Sequence, residues 1–194
     1  VSTPWLRQVH GTEVAVLGPT WPQGGITADA AVTTQVGVAC SVMVADCLPV
    51  LLSTRDGRGV GAAHAGWRGL AAGVLEATVA ALQSETGAEG SDITAWLGPC
   101  IGPDVFEVGG DVLEAFGFDP RQQELKPDER FWRFRPRPDG SPRWLGNLPA
   151  LARQRLRNVG LLHVHGGQGC TFSEASRFFS FRRDGSSGRM AASI

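Results

Sequence analysis

Three short segments of the chain place metal-binding or nucleophilic side chains next to glycines or turns. They are Gln8-Val-His10-Gly, Ala45-Asp46-Cys47-Leu-Pro and Ala63-His64-Ala-Gly-Trp67-Arg68-Gly. Each reads as the end of a strand running into a loop, which is where a rigid α/β scaffold holds its reactive groups. Two imidazoles and one thiolate match the preference of zinc for nitrogen and sulfur donors, and copper accepts the same set. Three protein ligands leave a coordination position for water or substrate, the arrangement of a catalytic and not a structural ion. The separations, 37 residues from His10 to Cys47 and 17 from Cys47 to His64, match no zinc-finger spacing. His163 and His165 compete for such a role, because residues i and i+2 share one face of a strand. Their alternative reading is a partly exposed strand beside Gly166-Gly167.

The elements that must position these residues are legible as hydrophobic runs. Val36 to Ala45 and Leu48 to Thr54 are rich in β-branched and small residues. A turn at Arg55-Asp-Gly-Arg-Gly leads into Gly59 to His64, so the last two runs are expected to form a hairpin. Runs that are apolar on both faces imply a sheet covered on both sides. Gly69 to Ser84 is the clearest helix, with Leu70, Val74, Leu75, Thr78 and Leu82 on one stripe and Gly87 as its C-cap. Ala95 to Gly98 and Gly160 to His165 are expected strands, Gly110 to Phe118 and Leu145 to Asn158 expected helices, and Phe178 to Arg182 the expected last strand. Asp119 to Pro142, rich in Pro, Arg and Asp, reads as a long surface excursion covering part of the core.

The whole chain fits this picture. Its 194 residues suit one domain with a full-sized core. Hydrophobic residues make up 42% and charged residues 19%, a globular composition. With 18 basic and 19 acidic side chains there is no basic excess of the kind a nucleic-acid polymer would need. No window of 18 consecutive apolar residues appears, so no membrane span is expected. The four cysteines, Cys40, Cys47, Cys100 and Cys170, are widely spaced in a chain too long to need disulfide staples. A cytoplasmic setting is the expectation. The opening Val1-Ser-Thr-Pro, without Met, suggests a processed or shortened chain.

Several ordered blocks resemble a known family. Gln8-Val-His-Gly-Thr-Glu-Val, Ala28-Asp-Ala, Ala45-Asp-Cys-Leu-Pro-Val-Leu and His64-Ala-Gly-Trp-Arg-Gly are similar to the YfiH-like, or laccase-domain, proteins. That family was formerly called multicopper polyphenol oxidoreductases and is now described as purine nucleoside phosphorylases. Gly98-Pro-Cys-Ile-Gly-Pro, Phe106-Glu-Val-Gly and Phe178-Phe-Ser-Phe-Arg-Arg-Asp-Gly-Ser-Ser-Gly-Arg continue the resemblance to the C-terminus. It implies a metal site at His10, Cys47 and His64. It implies phosphorolysis of adenosine, inosine and methylthioadenosine, with adenosine deamination in the same pocket. It also implies a fold of layered mixed β-sheets flanked by helices, shared with a bacterial toxin's cysteine-hydrolase domain. Family members usually carry a further segment before the Gln-x-His-Gly block, which this sequence is expected to lack, and at Asn147 they more often have Asp.

Given that activity, roles can be assigned. Phosphorolysis needs an anion site, and Arg68 suits it through its bidentate fork. Arg182 and Arg183 are further candidates, although Arg-Arg-Asp-Gly also reads as an ordinary turn. Deamination needs a carboxyl group to shuttle protons. Asp46 is one candidate, or else a group that orients a ligand histidine, and Glu107 is another. Trp67 could stack on a purine or pack a helix onto the sheet. The Cys-x-x-Cys signature of cytidine-type deaminases is absent. Four histidines are too few for a multicopper oxidase centre. The competing reading is a metal-independent cysteine hydrolase, with Cys47 as nucleophile and His64 or His10 as base, editing peptidoglycan precursors.

Overall fold

A computed structural model of the chain describes residues 2–22, 25–121 and 128–194. Its first strands are β1 (Leu6–Arg7), β2 (Val14–Val16), β3 (Ile26–Thr27), β4 (Ala30–Thr33), β5 (Ser41–Val44), β6 (Leu48–Thr54) and β7 (Val60–Ala65). Helices α1 (Trp67–Ala72) and α2 (Val74–Thr86) follow, then β8 (Ile93–Leu97), β9 (Glu107–Val108) and α3 (Gly110–Ala115). The chain continues through β10 (Trp132–Phe134), β11 (Trp144–Gly146), α4 (Leu148–Asn158), β12 (His163–Gly166), α5 (Phe181–Asp184) and β13 (Met190–Ser193). The central sheet has six strands in the order β12-β8-β6-β7-β4-β2. Its middle strands are antiparallel, and each edge strand runs parallel to its neighbour.

Period-two alternation along the central strands splits the interior into two layers. Val32, Val50, Leu52 and Ala63 face Leu70, Leu75, Val79 and Leu82 of α1 and α2 and Leu151 of α4. Ala31 and Ala62 face the other way, onto Leu6, Leu17, Cys40 and Val42, where the β5–β13 ribbon lies. This is a mixed α/β domain of helices, central sheet and ribbon, the layered fold class expected from the sequence. Gly59 lets α2 approach the sheet, where a Cβ would stand 2.5 Å from Thr86 Cγ2, while a Cβ at Gly61 would press on the paired strand β4, 3.1 Å from Val32 Cγ1. No helix among the described residues is long and apolar enough to cross a membrane.

The expected β6–β7 hairpin forms around Gly57, and Gly87 caps α2 in the left-handed conformation with its N–H on Gln83 O. Three expectations need correction. The helix expected over Gly69 to Ser84 is two helices, because Gly73 at φ 105° turns the chain between them. Only Ser41–Val44 of the Val36 to Ala45 run is a strand; Gly37 at φ 85° makes a turn and leaves Val36 exposed. Phe178 to Arg182 is not a strand, since Ser180 Oγ accepts the Arg183 N–H and starts the short helix α5. The last strand is Met190–Ser193, whose small residues give little hydrophobic signal.

Within the expected surface excursion, residues 122–127 lie outside the described residues. Its described part is not merely a cover, for β10 pairs with β11 and places Trp132 fully buried among Phe116, Phe118 and Gly146. The α4 helix starts later than expected, after β11. Asn147 caps it, its Oδ1 accepting from the Ala150 N–H at 3.1 Å and its Nδ2 donating to Arg130 O at 3.0 Å. Leu75 is fully buried between α2 and the sheet, so Leu75→Ala should lower unfolding free energy by about 2–5 kcal/mol. Urea denaturation, with an unchanged slope, checks this.

Candidate metal centre

The three segments singled out by residue chemistry converge. His10 follows β1, Cys47 sits in the turn between β5 and β6, and His64 lies near the end of β7. One ligand atom from each falls within 4.8 Å of the others. Cys47 Sγ is 3.7 Å from His10 Nε2, and the two imidazoles meet edge to face with centroids 4.7 Å apart. Gly66 makes this approach possible, because a Cβ there would stand 2.7 Å from His10 Cδ2 and 3.0 Å from Cys47 Sγ. Gly69 performs the same service for the loop, where a Cβ would stand 2.9 Å from Gly11 O.

A residue to which the sequence reading gave no role organises the site. Asp29, fully buried at the start of β4, accepts the backbone N–H groups of Val9 at 3.0 Å, His10 at 2.9 Å and Gly11 at 2.7 Å. Its Oδ1 also lies 2.8 Å from His64 Nδ1, and its own carbonyl accepts the His64 N–H at 2.7 Å. Burial would raise the Asp29 pKa, yet the hydrogen bonds from His64 and the three backbone amides outweigh it and hold the carboxyl below its ordinary value. Burial pushes His64 down, against the pull of Asp29, so the ring is neutral with its proton on Nδ1. That assignment leaves the Nε2 lone pair for a metal. The available signal was an acid placed between alanines, Ala28-Asp-Ala, at the head of a buried strand.

Among the described residues, two that are not glycine have positive φ, His10 at 61° and Asp46 at 86°, and both belong to this site. Asp46 does not orient a ligand histidine, which corrects that alternative; Asp29 does. The Asp46 carboxylate instead accepts from Thr171 Oγ1 and from the Arg182 N–H, both at 2.6 Å. Cys47 is a thiol in the absence of a cation, since burial and then the Asp46 charge push it up to about 11. A divalent ion with Lewis acidity fits this donor set, and ligand type leaves zinc and copper equally acceptable.

The three candidate ligands open into a cavity of about 550 Å³, within the usual range for small-molecule sites. Asp46, Trp67, Arg68 and Arg182 line it, as do Arg189 and Phe181, which sequence reasoning had not singled out. Arg68 lies over the Trp67 ring at 4.4 Å. Trp67 packs on the core and also lines the cavity. Arg183 is turned away, donating to the carbonyls of Thr171, Phe172 and Phe178. Glu107 is paired with Arg137 at 2.5 Å and does not line the cavity. His163 and His165 stand on an exposed face of the edge strand β12, away from the cavity.

Comparison with known proteins shows the family and fold to which the chain is similar. The model of a family described as multi-copper polyphenol oxidoreductase laccase matches residues 1–194. The purine nucleoside phosphorylase YfiH of Escherichia coli is 46% identical over 190 residues, covering 98% of this chain and 72% of that protein. A purine nucleoside phosphorylase of Haemophilus influenzae is 45% identical over 192 residues, with the same coverage of 98% and 72%. Among solved structures, a Neisseria meningitidis protein superposes with a TM-score of 0.82 at 44% identity, covering 98% of this chain and 73% of that one. YlmD of Geobacillus stearothermophilus does so with a TM-score of 0.81 at 30% identity, also covering 98% and 73%.

Three outcomes follow from the site's electrostatics. At pH 7 the Cys47 thiol must lose its proton to ligate, so Zn²⁺ binding should release about one proton per ion, and none in Cys47→Ala. Calorimetry in two buffers of different ionisation enthalpy measures this. Asp29→Ala should weaken Zn²⁺ binding about 10–100-fold in chelator competition, because it removes the group that orients His64 and the His10 loop. In the metal-free protein, the lowered His64 pKa means that the unfolded chain takes up a proton first as pH falls below about 6.5. Stability is therefore full above that pH and declines as acid is added through the lower folded value. The loss should be absent in His64→Gln, as read by thermal unfolding between pH 7 and 5.

Proposed function

Since the chain belongs to the multi-copper polyphenol oxidoreductase laccase family, whose model spans all of it, we propose that it is a metal-dependent purine nucleoside phosphorylase. Adenosine, inosine and methylthioadenosine are its proposed substrates, with adenosine deamination in the same pocket. The observation that carries this reading is an open three-ligand donor set facing a cavity that also holds three arginines without a carboxylate partner among the described residues. A chain of net charge −1 that gathers Arg68, Arg182 and Arg189 around one cavity is built for an anion. That relatives are named purine nucleoside phosphorylases supports inorganic phosphate as that anion.

In phosphorolysis a phosphate oxygen forms a bond to ribose C1′ as the C1′–N9 bond breaks, and the purine leaves with the electron pair and gains a proton. The arginines hold the phosphate and offset its charge. Trp67 and the exposed ring of Phe181 provide flat apolar surface for the base. An ion held by His10, Cys47 and His64 supplies Lewis acidity. Asp46 is the one carboxylate among the described residues that lines the cavity, and its bonds from Thr171 and Arg182 fix its direction. It is the proposed proton carrier for deamination, with Cys47, His64 and Arg68 completing the set.

A laccase reading is disfavoured by the histidine inventory. His10 and His64 belong to this site and His163 and His165 lie elsewhere on the surface, which leaves no ligands for a multicopper cluster. The cysteine-hydrolase reading, on peptidoglycan precursors, draws on the 3.7 Å contact between Cys47 Sγ and His10 Nε2. Against it stands a thiol pushed up to about 11, a poor nucleophile at neutral pH.

Metal-loaded protein given adenosine and phosphate should yield adenine and ribose 1-phosphate, resolved by chromatography. Chelation should abolish product and zinc or copper restore it, and Cys47→Ala should remain inactive throughout. A metal-free preparation that is active and is alkylated rapidly at Cys47 would favour the hydrolase instead.

A further inference from the structure

We propose that Arg189 is the residue that anchors inorganic phosphate beside Cys47, an inference that rests on the phosphorylase reading and names the anchor of its anionic substrate. The placement follows from strand register. β13 runs antiparallel to β5 with Met190 opposite Val44 and Ser193 opposite Ser41. Extending the pairing by one residue sets Arg189 opposite Ala45, directly before the Asp46-Cys47 turn. Arg189 accordingly lines the same cavity as Cys47 and His64, and its positive charge is felt at Cys47.

Its position distinguishes it from the other two arginines of the cavity, for it alone follows from the β5–β13 register to the strand end that leads into Cys47. Arg182 donates through Nη1 to Glu107 O at 2.9 Å and lies over the Phe106 ring, which holds it against the wall on the side of Glu107. Arg68 lies over the Trp67 ring at 4.4 Å, beside surface suited to the base. Arg189 is tethered through Nη1 alone, which reaches the carbonyls of Ser187 at 3.1 Å and Gly188 at 3.2 Å. Its Nε and Nη2 have no partner among the described residues. A guanidinium fixed at one nitrogen, with its remaining edge open, is arranged for a second, bidentate acceptor.

The test uses the full, metal-loaded chain. Steady-state kinetics with phosphate and adenosine varied separately should show Arg189→Gln raising KM for phosphate about tenfold or more. KM for adenosine should move less than about twofold, and Arg189→Lys should recover part of the phosphate effect. Metal content and thermal midpoint establish that each variant is folded and loaded. In parallel, calorimetric titration with inorganic phosphate alone should show binding to the parent protein that weakens by a similar factor in Arg189→Gln. The inference is overturned if Arg189→Gln keeps the parent phosphate KM and affinity, if both KM values rise together, or if Arg68→Gln carries the phosphate effect by itself. If the parent protein forms no ribose 1-phosphate, the phosphorylase reading fails, and the titration arm still decides whether Arg189 holds phosphate.

Discussion

The buried Asp29 carboxylate collects four N–H donors on two oxygens, and the geometry of the site depends on that one act of satisfaction. A carboxylate sealed from water costs several kcal/mol unless its lone pairs are met, so the chain around it has little freedom to rearrange. Three consecutive amides, Val9 to Gly11, must point inward together. That requirement bends the backbone into the left-handed conformation at His10, at φ 61°, a conformation uncommon for side chains other than glycine's. The fourth donor is the ring of His64, on a different strand. One acid therefore fixes the path of one candidate ligand loop and the tautomer of another ligand, joining residues far apart in sequence.

Close approach is the second constraint. The sheet supplies His64 and the β5–β6 turn supplies Cys47, but neither can meet His10 unless the intervening backbone is bare. Gly66 provides that clearance, and Gly69 lets the His10–Gly11 loop rest on the first turn of α1. The His-Ala-Gly-Trp-Arg-Gly block thus reads as one ligand, two clearances and two cavity walls. Its residue types follow from packing requirements as much as from chemistry.

Much of this was legible in the sequence because it is local. The β6–β7 hairpin, the apolar stripe of α2 and its glycine cap depend on neighbours in the chain, and they formed as periodicity dictates. The ligand trio was marked by residue type at strand ends, and the resemblance to a known family selected it from the other histidines. What stayed hidden is long-range. Nothing near Asp29 in sequence announces that its partners lie 18 to 35 residues away. Arg189 looks like a tail residue until β13 is paired with β5, and the alanines of that strand carry too weak a pattern to show the pairing. The helix break at Gly73 was visible as a glycine, but the choice between a tolerated glycine and a turn is made by packing. Asn147 is similar: capping α4 could be guessed, while its donation to Arg130 O, which an aspartate could not make, needed the fold.

The β5–β13 pairing also carries an implication for how the protein comes into being. The ligand trio lies within the first third of the chain, whereas Thr171, Phe181, Arg182 and Arg189 come from its final segment. During synthesis the central strands and α2 emerge and can pack while that segment is still being made. For that interval the nascent domain presents its thiol and imidazoles on an open face, with no far wall to the cavity. Closure waits until the final strand is free to add to the edge of β5. The residues of the candidate ion site thus emerge before those that complete the cavity wall.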